Sequence, residues 1–161
     1  GEIWVRGEQV SGEYRGQAPR LTAEGWFPTH DGGRLDEAGF LHVTGRIDDV
    51  IVKGGQNVSP GEIEAVLVEH PAVADAAAIG LPDRQWGERI VAAVVLADVD
   101  STSGASVTAE ELQELVRSEL RSNRTPDHVE FVAALPYNDT GKLLRRVLRT
   151  ELAHFGDGST E

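Results

Sequence analysis

The sequence predicts an α+β chain: short antiparallel strands over residues 1–47, then a small mixed sheet flanked by helices over residues 48–161. Three observations predict it. Brief β-branched and aromatic runs at the front are separated by Asp/Gly turn residues. Farther on, the apolar runs 72–81 and 90–96 suit buried strands. Around them, two Ser/Thr-x-x-Glu capping boxes open segments whose apolar residues recur every third or fourth position.

In the front part, Ile3-Trp4-Val5, Gly25-Trp26-Phe27-Pro28, Gly33-Arg34-Leu35 and Phe40-Leu41-His42-Val43 read as strands, with Asp31-Gly32-Gly33 and Asp36-Glu37-Ala38-Gly39 as turns. Aliphatic residues are too few there for a self-sufficient core, so this stretch is expected to complete a sheet begun upstream. Residues 50–58 read as a hairpin whose Gly54-Gly55 loop needs positive φ. A helix follows, with Ser59 as N-cap, Pro60 at the first position, Glu62 closing the capping box, and Ile63, Val66 and Leu67 as its apolar stripe. His70-Pro71 ends it.

The two buried strands are joined by the polar stretch 82–88, and 98–106 reads as a flexible Ser/Asp/Gly loop. Thr108 and Glu111 form the second capping box, ahead of a helix face of Leu112, Leu115, Val116 and Leu120. Residues 129–135 read as a further strand. A loop over 136–142 leads to a last helix carrying Leu144, Val147, Leu148 and Leu152, and 156–161 is expected to fray.

Composition narrows the function classes. A net charge of −12 and a pI near 4.8 argue against nucleic acid or an anionic membrane as main partners. No apolar run reaches the roughly 18 residues of a membrane span. The five histidines show no metal-ligand spacing, and the absence of cysteine makes a cytoplasmic location the default expectation. No methionine occurs, so the chain is expected to be a piece of a longer protein.

Only two lysines occur against thirteen arginines, and each lies in a glycine-marked motif. Chance and codon bias are one explanation. The other is chemistry: a compact ammonium reaches a single oxygen where a planar guanidinium does not. Lys53 lies in Val50-Ile51-Val52-Lys53-Gly54-Gly55-Gln56-Asn57-Val58, and Lys142 in Asn138-Asp139-Thr140-Gly141-Lys142-Leu143-Leu144-Arg145. If Thr140 caps the last helix, Lys142 falls in its first turn, where the helix dipole disfavours a cation and a ligand anion would account for it. Asp31 after a strand end suits the two hydroxyls of a ribose, although Asp before Gly-Gly is commonly a turn residue. The pair Asp48-Asp49 fits a solvated linker equally well.

Taken together and in this order, Asp31, the run from Gly45-Arg46-Ile47-Asp48-Asp49 to Gly61-Glu62-Ile63-Glu64, His70-Pro71, Gly80-Leu81-Pro82-Asp83 and Pro136 to Arg146 resemble the C-terminal part of the adenylate-forming superfamily. That superfamily includes acyl-CoA and aryl-CoA synthetases, adenylation domains of peptide synthetases, and luciferases. The resemblance also takes in the glycine-bearing opening, residues 1–16. It implies that residues 1–47 end a large AMP-binding domain and that 48–161 form a C-terminal lid. By the same resemblance Asp31 and Arg46 contact ATP, Asp48 is the hinge, Lys142 is the catalytic lysine of adenylation, and Gly54 and Gly55 line the pantetheine channel. Lys53, beside that loop, is a candidate for a phosphate contact or for packing.

The implied reaction is that of an ATP-dependent acyl-CoA synthetase, which joins a fatty or aryl acid to CoA through an acyl-adenylate. The implied ligands are ATP, a small carboxylic acid and CoA, with Mg2+ held mostly by residues upstream. An adenylation domain serving a carrier protein and a non-catalytic binding module of the same fold are the alternatives. Two departures from the family pattern stand out: His30 replaces a glycine before Asp31, and Asn57 replaces a common arginine. The phosphate loop and acyl pocket of the family are not in the sequence, so this chain alone is expected to have no ligase activity.

Overall fold

The computed structural model describes residues 1–11, 21–97, 107–120 and 122–156, the side chain of Thr44 aside. The stretch 12–20 of the glycine-bearing opening, the 98–106 loop and residues 157–161 of the expected frayed end lie outside the described residues. The backbone divides into two compact units, Gly1–Asp48 and Asp49–Glu161.

The first unit is a three-stranded antiparallel sheet in the order β1 (Glu2–Val5), β2 (Phe27–Leu35), β3 (Leu41–Arg46). Here the structure corrects one expectation. Asp31-Gly32-Gly33 is no turn: the two short runs expected around it are one strand, β2, which carries Asp31 at its centre. The glycines instead mark a register shift against β3 between Gly32 and Gly33, a bulge that re-aims neighbouring side chains. At Gly33 a Cβ would stand 2.8 Å from Ile3 Cδ1 and 3.0 Å from the His42 carbonyl oxygen, so close strand approach explains that residue. The turn after β2 is built by Asp36, whose Oδ1 accepts from the Ala38 and Phe40 amides.

A 3-10 turn, Ile47–Asp49, spans the boundary between the two units along the chain. The second unit is a five-stranded mixed sheet: β4 (Ile51–Lys53), β5 (Gln56–Val58), β6 (Val73–Asp83), β7 (Gly87–Leu96) and β8 (His128–Phe131). Strands β6 and β7 form a long antiparallel hairpin, with β7 inside the sheet and β6 at its edge. Along the other edge of β7, β4 pairs at Gly87 and β8 runs parallel from Val91 to Val94. The parallel strand is reached through α2 (Ala109–Leu120), as a parallel connection requires.

Both faces of the hairpin are covered. On one, α1 (Pro60–Val68) and α2 bring Ile63, Leu67, Leu112 and Val116 against Ala76, Ala78, Ile90, Ala92 and Val94. On the other, α3 (Arg145–Glu151) and the residues after it bring Leu148 and Leu152 against Ala77, Ile79, Val91 and Ala93. Burial on two faces explains why both strands read as continuous apolar runs and not as alternations. The many alanines leave room for the helices to pack closely.

Helix starts divide the capping boxes. At α2 the expected reciprocal pair forms: the Glu111 amide donates to Thr108 Oγ1 at 3.2 Å, and the Thr108 amide donates to Glu111 Oε2 at 2.9 Å. At α1, Pro60 begins the helix as expected, but Ser59 makes no side-chain capping bond and Glu62 turns away to pair with Arg124 at 2.7 Å. The strand expected over 129–135 ends at Phe131. The polar connection expected over 82–88 shrinks, because β6 and β7 extend to Asp83 and Gly87.

Asp83 builds that short turn. Its Oδ1 accepts from the Gln85 and Trp86 amides, each at 2.9 Å, and its Oδ2 accepts from Arg89 Nη2 at 2.6 Å. The Arg89 hydrogen bond, and after it the Trp86 amide, holds the Asp83 carboxyl below its ordinary value of 3.8. A carboxyl lowered in the folded state contributes stability that is present above its unfolded value and is lost as pH falls through the folded one.

Three substitutions test this packing. Leu148→Ala, which removes the buried anchor of α3, is expected to cost about 2–5 kcal/mol in urea unfolding. Thr108→Ala is expected to cost only about 1 kcal/mol. Below pH 3.8 the stability of Asp83→Asn should fall less steeply than that of the unaltered chain; parallel slopes in a pH series of urea titrations would refute the role given to Asp83.

Candidate functional site

In the first unit, the sheet brings two expected site residues together. Asp31 on β2 lies directly opposite Arg46 on β3, and Arg46 Nη1 approaches Asp31 Oδ1 at 3.4 Å and the Thr29 carbonyl oxygen at 3.2 Å. Their side chains are 38% and 39% exposed, so the pair is accessible. An ionised carboxylate has about four lone-pair sites, which leaves Asp31 capacity for two hydroxyl donors beside the guanidinium. Arg46 Nη2 also reaches Asp48 at 3.6 Å. Asp48 itself is exposed within the 3-10 turn that ends this unit.

His30, the departure noted before Asp31, has φ of 60° and is the one non-glycine residue in the left-handed region among those described. A glycine takes that conformation without steric cost, whereas another L-residue gives up about 1–2 kcal/mol there. A glycine at this position would therefore have a backbone reason. Histidine is among the side chains that tolerate the region, and here the His30 amide donates to Glu2 Oε1 at 3.2 Å.

In the second unit, Lys142 is placed differently from the sequence expectation. The last helix starts at Arg145 with Leu144 at its cap, so Thr140 caps nothing and Lys142 precedes the helix. The argument from an unfavourable first-turn position therefore does not apply. Lys142 instead closes a tight loop built by Asn138. The Asn138 Oδ1 accepts from the Thr140 amide at 3.1 Å, the Thr140 hydroxyl at 2.8 Å and the Lys142 amide at 2.8 Å. Backbone bonds from Asn138 N to the Lys142 oxygen and from Gly141 N to the Asn138 oxygen complete it, with Gly141 at φ 75°. The bridge between Tyr137 and Leu143 closes its base. Lys142 is exposed, and among the described residues no carboxylate stands within ion-pair distance of its Nζ.

The base of this loop is pinned to the sheet. Tyr137 donates its hydroxyl proton to Asp75 Oδ2 at 2.8 Å, near the open end of the β6–β7 hairpin. Burial first, and the Asp75 carboxylate second, push the Tyr137 phenol above its ordinary value, so it remains a donor at neutral pH. Asn138, Tyr137 and Arg145 were not singled out from the sequence. An Asn three residues before Gly was the available signal for Asn138, since Asn side chains fold turns onto themselves; nothing local signals the partners of the other two.

Gly54 and Gly55 sit at the opposite end of the hairpin. Their φ angles of 58° and 76° form the expected tight loop between β4 and β5. The Gly54 amide donates to the Trp86 carbonyl oxygen at 2.7 Å, and a Cβ on Gly54 would stand 3.2 Å from Trp86 Cε3. Close approach to the indole is thus a second requirement for glycine. Trp86, half exposed, forms one wall of a cleft of about 360 Å3 shared with Lys53, Gly54, Gln56, Ser122, Asn123 and Asp127.

Lys53 has a partner. Its Nζ contacts Asp127 Oδ1 at 2.6 Å, and its side chain is only 14% exposed. Asp127 Oδ2 accepts from the Ile90 amide at 2.7 Å, so the lysine closes the gap along β7 between the end of β4 and the start of β8. Asn57, the second departure, is exposed on β5. Among the described residues no three His, Asp or Glu side chains gather to hold a metal ion. No described helix is long and apolar enough to cross a membrane.

Comparison with known proteins agrees with this architecture. The model of the AMP-binding enzyme C-terminal domain matches residues 62–142. The chain is 40% identical over 154 residues to the long-chain-fatty-acid–CoA ligase FadD13 of Mycobacterium tuberculosis, covering 94% of this chain and 29% of that protein. The amide bond synthetase McbA of Marinactinospora thermotolerans superimposes with a TM-score of 0.83 at 41% identity, over 94% of this chain and 31% of McbA. The o-succinylbenzoate CoA synthetase MenE of Bacillus subtilis, solved with its acyl-adenylate intermediate, gives a TM-score of 0.83 at 37% identity, over 92% of this chain and 30% of MenE. The chain thus spans about three tenths of the length of these relatives. By its sequence, its α+β fold and the match over half its length, it belongs to the family of AMP-binding enzyme C-terminal domains, the C-terminal part of adenylate-forming enzymes.

Proposed function

We propose that this chain is the lid-bearing C-terminal part of an ATP-dependent acid–thiol ligase, acting with a large AMP-binding domain to convert a carboxylic acid to its acyl-CoA through an acyl-adenylate. On this reading residues 1–47 end the large domain, Asp48 is the hinge and the second unit is the lid. The observation that carries it is the placement of Lys142 and of the Gly54-Gly55 loop at opposite ends of one buried hairpin. From Asp75 to Asp83 the strand extends about 25 Å. A rigid unit of that length cannot offer both ends to one reaction centre at once, so it suits a lid that serves two half-reactions in turn.

In the first half-reaction the acid's carboxylate attacks the α-phosphorus of ATP and pyrophosphate leaves. Negative charges converge there, and an exposed ammonium held by a rigid loop stabilises the transition state more than the separated reactants. Asp31 accepts the ribose hydroxyls and Arg46 supplies positive charge beside them. In the second half-reaction a thiol attacks the acyl carbon and AMP leaves. The Gly54-Gly55 backbone, free of side chains, would let a pantetheine arm approach closely, and Gly54 lines the cleft beside Trp86. Lys53, already paired to Asp127, packs the loop and does not meet phosphate. Mg2+ would be held by residues outside this chain. The likeness to FadD13 and MenE supports CoA as acceptor.

The two half-reactions separate the roles. In the protein carrying the large domain, Lys142→Ala should slow acyl-adenylate formation by about 10²–10³-fold, the scale of losing one charge-stabilising donor. Thioester formation from preformed acyl-adenylate should be spared. Gly54→Ala should show the reverse pattern, since a side chain there meets Trp86 and disfavours the positive φ. Equal losses in both steps for either variant would refute its assignment, and turnover of ATP by the 161-residue chain alone would refute the need for a partner domain.

A further inference from the structure

Arg145 stands at an unusual junction. It is the first residue of α3, three positions after Lys142, at the end of a helix where a cation is disfavoured. Its side chain is only 19% exposed, and its placement is explained by two carboxylates from distant parts of the unit. Nη2 contacts Glu64 Oε1 on α1 at 2.6 Å, and Nη1 contacts Asp49 Oδ2 at 3.5 Å. The same Glu64 Oε1 accepts from the Ala78 amide of β6 at 2.8 Å, so the carboxylate is itself fixed to the sheet.

Asp49 is the first residue of the second unit, immediately after the hinge residue Asp48. One guanidinium therefore ties three things: the point where the chain enters the lid, the sheet through Glu64, and the helix onto which the Lys142 loop runs. The Leu144 amide bond to the Pro136 carbonyl oxygen, at 2.8 Å, joins that helix start to the other limb of the loop. The arrangement has a cost, because Arg145 Nε is buried without an acceptor among the described residues. A planar fork reaches two carboxylates in different directions, which a lysine ammonium on a single stem does not reproduce.

We propose that Arg145 is a positioning residue for adenylation, holding the Lys142 loop in fixed register with the hinge through Asp49 and Glu64. It touches no substrate and acts only through the location of Lys142. This inference rests on the adenylation role proposed for Lys142. It adds that turning at the hinge carries the lysine as part of one body, because the Arg145 cluster leaves no slack between them. Loss of the cluster displaces the ammonium without removing it, and displacement of a reacting group by about 1 Å is enough to lower a rate by around a hundred-fold.

The test compares Arg145→Lys, Glu64→Gln and Lys142→Ala in the protein carrying the large domain. Glu64→Gln keeps an acceptor for the Ala78 amide and removes only the charge, which guards against misfolding of the first variant. Arg145→Lys and Glu64→Gln should lower kcat for acyl-adenylate formation by about ten- to a hundred-fold, with KM for ATP unchanged and with thioester formation from preformed adenylate unchanged. Combining Arg145→Lys with Lys142→Ala should add no further loss, since both act through one group. Equal loss in the two half-reactions, or additive loss in the double variant, would overturn the positioning role and leave Arg145 a general stabiliser. Wild-type adenylation in both Arg145→Lys and Glu64→Gln, alongside a slow Lys142→Ala, would overturn this inference alone. Wild-type adenylation in Lys142→Ala would overturn the proposed function itself and this inference with it.

Discussion

Burial of the β6–β7 hairpin on both faces is the constraint on which the rest of the second unit depends. Its alanine-rich strands bury their alternate side chains under α1 and α2 on one side and under α3 on the other. At about 25 cal/mol per Å2 of apolar surface removed from water, each buried leucine or isoleucine contributes on the order of 1.5–3 kcal/mol. Polar contacts add geometry to that stability: Glu64 secures the outer edge of β6, and Lys53 with Asp127 fills the seam between β4 and β8. Because the hairpin is long and stiff, whatever is mounted at its two ends is kept apart.

What is mounted there is unlike in kind. At one end the backbone is exposed by glycine and walled by an indole, with its one lysine already paired. At the other end a lysine is held out on a loop whose tip is folded around the Asn138 side chain. The first end offers a glycine backbone beside a cleft, and the second an exposed ammonium that no carboxylate pairs among the described residues. On the proposed function, the first would serve thiol delivery and the second the activation of the acid. In the first unit, the Asp31–Arg46 pair gives a third arrangement, an accessible carboxylate beside a guanidinium on adjacent strands.

Much of this was legible in the sequence where the determinants are local. The Gly54-Gly55 hairpin, the Thr108–Glu111 capping box and the buried apolar strands each follow from residues within a few positions of one another. The errors also have physical causes. Asp31-Gly32-Gly33 carries turn residues, yet pairing on both sides, with β1 and β3, keeps it extended and turns the glycines into a bulge. Thr140 looked like a helix cap because it precedes an apolar stripe, but the Asn138 side chain claims its amide and hydroxyl and delays the helix to Arg145. Glu62 leaves its capping box for Arg124, which lies far along the chain.

Partners remote in sequence were the illegible part. Nothing near Lys53 indicates Asp127, and nothing near Arg145 indicates Glu64, because each pair is created by the sheet. The central claim is that one rigid lid brings its two ends to the same place in succession. Distances measured by pulsed electron resonance, from labels at Asp139 and at Gln85 to a fixed label on the large domain, address it most directly. With ATP and acid bound, the Asp139 label should lie near and the Gln85 label far, and with a thioester-forming analogue the order should reverse. Two distances that stay the same in both states would contradict the account.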